Sequence, residues 1–280
     1  MRMLNACDYI LDKKDNFWIV QYTKGDKAYG NLVFAPNSKG ERFNHLLNKS
    51  YIKVINQNQN INEIKNIKKV FKPRPFFNKN YKNLIRKWKK LADALIFIGI
   101  NKNDIGIYGS YLIGFDIKRD IDFVIYGKSN YKKLLKKIEL IRRIIRAKKI
   151  SSRHINYQAK KYQLFLSKKN NFEQMLKNKW SSLQISKNNL ATLRFVYKNN
   201  EIKEDTKLRK GKSKIITGRV LNSLGASLIP RTFSIKYKNK TTRVLTYFWA
   251  YQSCVKDKQR IRIFGEYNKT MAAERRLCLG

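Results

Sequence analysis

The chain has 280 residues and carries 62 Lys and Arg against 19 Asp and Glu, a formal net charge of +43. With 42% hydrophobic and 12% aromatic residues it can bury at least one real core; this excludes a disordered tail, and the length allows two or three modest domains. Three scattered cysteines (Cys7, Cys254, Cys278) and two histidines without ligand spacing argue against a disulfide framework or a zinc site, and no apolar run reaches the roughly 18 residues of a membrane span.

In chain order, residues 1–58 read as a small β unit. FWIVQY (17–22) and GNLVFAP (30–36) flank the turn-like TKGDKA, and SYIKVI (50–55) follows the turn-rich NSKGERF. A short helix is expected to end near Val70 and Phe71, where KPRP (72–75) breaks it, because proline cannot continue the hydrogen-bond ladder. Residues 80–100 place Leu84, Ile85, Trp88, Leu91, Leu95 and Ile96 at the spacing of an amphipathic helix. DIGIYG (104–109) then predicts a strand, SYLIGF a second helix or tight turn, IDFVIYG (121–127) a strand and residues 130–149 a basic amphipathic helix.

Residues 157–183 again show helical period, with Leu164, Phe165, Phe172, Met175, Leu176 and Trp180 on the apolar side, and LATLRFVYK (190–198) predicts a further strand. EIKEDTKLRKGKSK (201–214) is a charged linker. Beyond it, KIITGRVLN, TFSIKY, RVLTYFWAY, RIRIFGEY and RLCLG are short strands about ten residues apart, the texture of a compact antiparallel barrel or sandwich. The expected class is α+β, in three parts: 1–75, a β element and linker; 76–200, a mixed sheet with flanking helices; and 201–280, a linker and β-rich domain, an antiparallel, OB-like barrel.

Chemistry concentrates in GSYLIGFDIKRDIDFVIY (109–126). In a strand, residues i and i+2 share a face, so Asp120 and Asp122 project together while Ile121 turns inward. Two carboxylates that close disfavour each other's charge unless a cation lies between them, and their oxygens suit Mg²⁺ bound jointly with substrate phosphates. Gly109 and Ser110 stand at a strand end, where glycine admits a close ligand and free N–H groups attract anions. Together these residues suit a metal–nucleotide complex.

The motif resembles the signature of the DNA-polymerase-β-type nucleotidyltransferase superfamily: a Gly-Ser, a spacer, then Asp-x-Asp leading a strand. NSKGERF, YGSYLIGF, DIDFVIYG and RVLTYFWAYQ…RIRIFGEY are similar to the predicted archaeal-type members, in the same order along the chain. The resemblance implies a nucleotidyltransferase-type mixed sheet and transfer of a nucleoside monophosphate from an NTP to an acceptor hydroxyl. It also implies nucleotide binding by Gly109 and Ser110, and catalytic Asp120 and Asp122 carrying Mg²⁺. Such enzymes use a third carboxylate on a later strand. Here that strand is LATLRFVYK, which has Thr192 at the expected position, and no Asp or Glu occurs between Glu173 and Glu201. Glu201, Glu204 or Asp205 could reach back from the linker, though their spacing does not favour them.

The charge has two explanations. AT-rich coding would inflate Lys, Asn, Ile and Tyr, whereas Arg clusters at 142–146, 260–262 and 275–276 favour a polyanionic partner, RNA above all. Helix 130–149, linker 206–214 and the last strands surround Tyr237, Tyr247, Phe248, Trp249, Tyr251 and Tyr267, which could stack on bases or fill a core. Three functions therefore stay open: a transferase acting on RNA; an RNA-binding protein of the same fold with weakened or lost turnover, for instance in a ribonucleoprotein particle such as a ribosome; or transfer of a nucleotide onto a protein or small molecule, for which the excess basic charge has no purpose. Trp88 and Trp180 are expected in the core, His45 and His154 on the surface, and Asp104 and Asp116 in turn or capping roles. A charged N-terminal stretch and the scattered thiols suggest a cytoplasmic protein without membrane contact.

Overall fold

The computed structural model describes residues 4–54, 61–115, 120–148, 150–152, 180–186, 189–202, 212–246, 255–268 and 270–279. The predicted helix at 157–183 falls almost wholly outside them, as do Asp116, His154, Glu204, Asp205, residues 247–251 and most of the linker. The class is α+β. The chain divides into two compact units, Met1–Lys148 with Leu183–Glu201, and Lys149–Ser182 with Ile202–Gly280.

In the first unit, β1 (Tyr9–Asp12), β2 (Phe17–Lys24), β3 (Lys27–Pro36), β4 (Arg42–Asn44), β5 (Lys49–Lys53), β6 (Asn62–Ile64) and β7 (Ile67–Phe71) form one antiparallel sheet in the order β4-β5-β3-β2-β1-β7, with β6 on β3. Its alternation buries Leu4, Ile10, Val20, Ala28 and Ile64 together, with Trp18, Ile67 and Val70 packed against them. The helix expected to end at Val70 and Phe71 is instead strand β7, which pairs with β1 through Tyr9↔Phe71 and Ile10↔Val70. A five-residue segment with apolar residues at Ile67, Val70 and Phe71 fits either period, and the open edge of β1 decides it.

KPRP likewise starts a helix rather than stopping one. α1 (Pro73–Asn80) has proline in its first turn, where a missing N–H costs nothing because that donor has no partner in the helix. α2 (Arg86–Phe97) is shorter than the predicted 80–100. It buries Trp88, Leu91 and Leu95 as the periodicity requires, while Ile85, just before its first turn, is exposed.

A second sheet follows: β8 (Ile105–Tyr108), β9 (Asp120–Tyr126), then α3 (Lys128–Ile145), β10 (Ser182–Ser186) and β11 (Asn189–Val196), in the order β10-β11-β9-β8. β8 and β9 are antiparallel, β9 and β11 parallel. A parallel pair needs a crossover, and α3 lies in that connection, its Tyr131 ring 5.0 Å from Phe195 on β11. Asp104, expected in a turn or capping role, instead ties distant residues together: its carboxylate accepts from Lys198 at 2.8 Å and from Asn130 at 2.9 Å. Glu201 accepts the Lys128 and Lys198 N–H groups and so caps the start of α3.

In the second unit, β12 (Lys212–Asn222), β13 (Leu228–Ile229), β14 (Arg231–Tyr237), β15 (Lys240–Thr246), β16 (Arg260–Asn268) and β17 (Thr270–Leu279) follow the linker. Five of them close a barrel in the order β12-β14-β15-β17-β16, with β15 and β17 parallel and the other neighbours antiparallel. Ile216, Val220, Phe233, Ile235, Val244, Ile261 and Ile263 are buried. Of the two predicted architectures, barrel and sandwich, the barrel is the one formed, but the parallel β15–β17 pair corrects the expectation that it is antiparallel throughout.

Asp8 is a buried carboxylate beside β1. Burial pushes its pKa up from 3.8 to about 6, against the lowering effect of the Asn5 N–H at 2.9 Å and of Lys72 and Arg74. The folded state therefore holds a proton on Asp8 that the unfolded chain releases near pH 4, so this group's contribution to stability falls as pH rises from about 4 to about 6. Asp8→Asn should remove that loss, leaving the variant more stable than wild type by on the order of 1–3 kcal/mol at pH 7 and level with it at pH 4. Urea unfolding of both proteins across this range checks it.

Candidate functional site

β8 ends at Tyr108, and the chain turns through Gly109–Gly114 without forming a helix. Of the two forms expected for SYLIGF, the tight turn is the one present, closed by the Phe115 N–H donating to the Ser110 carbonyl at 3.0 Å. Leu112, Ile113 and Phe115 are buried. Phe115 packs against Phe17, Phe34 and Tyr51 of the first sheet, with ring centroids 4.6–5.8 Å apart. β4 and the residue after it bind the same turn through its backbone: Asn44 donates to the Ile113 carbonyl at 2.7 Å, and the His45 N–H donates to the Gly114 carbonyl at 3.1 Å.

Gly109 has φ +78, a conformation that L side chains rarely adopt, and a Cβ at this position would lie 2.6 Å from Asp122 Oδ2. The glycine-serine bend and the second aspartate are therefore in direct apposition. Asp120 is the exposed first residue of β9, and its Oδ1 accepts the Leu190 N–H at 3.2 Å. Asp122 is half-buried and pairs across the strands with Tyr108 on one side and Thr192 on the other. Gly109, Ser110, Asp120 and Asp122 thus gather at one end of the sheet. Thr192 stands level with Asp122 on the neighbouring parallel strand, where the resemblance expects the third carboxylate. Glu201 caps α3 beyond the opposite end of β11 and is no substitute for it.

Two guanidinium groups at the site were not singled out from sequence. Arg42 of β4 donates from Nη1 to Ser110 Oγ at 3.2 Å and lies 5.4 Å from the Phe34 ring centroid. Arg194 is two residues beyond Thr192 on β11 and therefore on the same face. Its guanidinium lies 4.6 Å from the Tyr108 ring centroid. Burial works against the Arg194 charge, but Tyr108, Cys7, Tyr9 and Asp122 outweigh it and push its pKa up. Burial, with the Asp122 charge adding to it, also pushes the Tyr9 and Tyr108 hydroxyls up and keeps both neutral. Arg42 lies within NSKGERF, a segment of the resemblance, but on a distant strand and with no role that the segment itself indicates, and Arg194 reads as an ordinary outward residue of a strand.

Among the described residues, no three His, Cys, Asp or Glu side chains come together as a metal-holding group. Two carboxylates on one strand face, beside a bend whose missing Cβ leaves room at Asp122 Oδ2, suit a single Mg²⁺ that takes its remaining ligands from phosphates and water. A second ion, held by a third carboxylate, has only the Thr192 hydroxyl at that place. His45 is exposed and Trp88 buried, as expected, while Trp180 is only partly buried. No described helix is long and apolar enough to cross a membrane.

The chain matches no protein-family model, and neither curated proteins nor solved structures give a match.

Gly109→Ala is expected to force the Asp122 carboxylate aside and to strain the bend. It should cost roughly 1–2 kcal/mol of stability, measured by urea unfolding; an unchanged stability would show that the bend tolerates the added Cβ.

Proposed function

We propose that the first unit is a nucleotidyltransferase-type domain, that it binds a nucleoside triphosphate with one Mg²⁺ at this cleft, and that it transfers a nucleoside monophosphate to a hydroxyl of a nucleic-acid acceptor, RNA in preference. The observation that carries the reading is the contact between the Gly109 bend and Asp122. The antiparallel β8–β9 pair, the parallel β9–β11 pair and the α3 crossover support the same fold assignment. The five-stranded closed barrel of the second unit supports an OB-like domain, an architecture used for oligonucleotides, and the net charge of +43 supports a polyanionic acceptor.

In this reading Ser110, Arg42 and the N–H groups of the turn hold the terminal phosphates, and Asp120 and Asp122 hold the ion. When bound, Mg²⁺ neutralises phosphate charge in the transition state. The acceptor oxygen attacks the α-phosphorus, its proton is released, and the bond to pyrophosphate breaks. Asp120 is the exposed carboxylate of the pair and is therefore the one open to an incoming acceptor.

Thr192 favours a second reading, an RNA-binding protein of this fold with weakened or lost turnover. A threonine hydroxyl is a poor ligand beside carboxylates, and losing the third acid weakens activation of the acceptor more than it weakens nucleotide binding. With α-labelled NTPs, Mg²⁺ and RNA, the first reading predicts incorporation that Asp120→Ala abolishes. Thr192→Asp should then raise the rate by about tenfold or more. Salt-sensitive RNA binding with no incorporation by either wild type or Thr192→Asp would select the second reading.

A further inference from the structure

On β12, inward residues Ile216, Gly218 and Val220 are buried while Thr217, Arg219 and Leu221 face out. Arg219 is flanked on both sides by cations at the same level: its partner on β14 is Lys236 and its partner on β16 is Arg260. The next outward pair places Arg262 beside Thr217. Arg219, Lys236, Arg260 and Arg262 are all exposed, and none makes an ion pair or side-chain hydrogen bond with a described residue. β12, β14 and β15 contain no Asp or Glu, and β16 has only Glu266, four positions beyond Arg262.

Directly opposed residues on one sheet face have Cβ atoms about 5 Å apart, and like charges in that arrangement destabilise the pair. Three cations in a row across three strands therefore work against the barrel's own stability. General enrichment in lysine does not account for the row, since three of its four cations, counting Arg262, are arginines. The pattern has a physical purpose if an anion with closely spaced charges lies across it.

We propose that the outer face of β12, β14 and β16 is a docking surface for the sugar–phosphate backbone of single-stranded RNA, with Arg219 at its centre and Lys236, Arg260 and Arg262 around it. The contacts are to phosphates, so binding is independent of base sequence and strongly salt-dependent. This rests on the nucleic-acid partner proposed above but not on nucleotide binding or turnover at the Gly109–Asp122 cleft.

The test compares two triple variants with the same change of charge. Arg219→Thr/Arg260→Thr/Arg262→Thr empties the barrel face. Lys132→Ser/Lys136→Ser/Lys137→Ser removes three exposed lysines from α3. Binding of a labelled oligouridylate of about 20 nucleotides is followed by anisotropy against KCl, alongside thermal unfolding of the free proteins. The barrel variant should lower the slope of log K against log[KCl] by about 2, since each phosphate contact on a single strand contributes about 0.7, and should bind at least about tenfold more weakly near 0.1 M KCl. The α3 variant should keep the wild-type slope. Free of RNA, Arg219→Thr alone should melt roughly 1–3 °C higher than wild type as repulsion is relieved. Equal weakening by both triple variants would leave a nucleic-acid partner but remove this surface as its site. Absence of RNA binding in wild type, or a lower melting point for Arg219→Thr, would overturn the proposal itself.

Discussion

The candidate site depends on the clamping of the Gly109–Phe115 turn between two sheets. On one side Gly109 leaves no atom between the bend and Asp122 Oδ2. On the other, Phe115 is enclosed by three aromatic rings, and Asn44 and His45 bind the turn's carbonyls. A seven-residue bend with no helix of its own would otherwise be free to move, and preorganised anion sites require N–H groups that do not. Here tertiary contacts provide the rigidity that a helix after the bend would supply. The first sheet is therefore part of the site, because it both fixes the bend and contributes Arg42 to Ser110.

The electrostatics beneath the bend are set by one fixed cation. Arg194 lies over Tyr108 with Tyr9, Cys7 and Asp122 around it. A guanidinium taken out of water is unfavourable unless it faces negative or polar groups, and Asp122 is the carboxylate among its neighbours. The negative charge of Asp122 is one of the influences that keep the buried guanidinium charged.

Much of this was legible in the sequence because local and global signals agree there. The continuous apolar run of β9, the helical period of α2 and α3 and the Thr192 level on β11 come from side-chain patterning, which the partner strands then reinforce. The failures have specific causes. Ile67–Phe71 is too short for its period to be informative, and the open edge of β1 made it a strand. KPRP has one meaning inside a helix and another at its first turn, and the residues after the prolines decide between them. Arg42 and Arg194 reach the site through contacts with residues 68 and 86 positions away, and no local pattern encodes such contacts.

The scarce acids are distributed by task. In a chain with 19 carboxylates among 62 cations, each described acid with a resolved partner has an identifiable structural role. Asp15 bridges Lys49 and Lys68, Asp12 accepts from Asn16 and Trp18, and Asp104 ties Lys198 to Asn130. Glu201 caps α3, and Asp257 accepts the Ser223 N–H. Each of these serves a cation, a turn or a helix end near itself. Asp120 and Asp122 differ in sharing one strand face as two carboxylates one residue apart, although Asp120 Oδ1 also accepts the Leu190 N–H. Where acids are this rare, two on one strand face beside a glycine that admits no Cβ mark the place the proposed ligand would occupy, and the opposed cations of the barrel face mark that of the proposed polyanion.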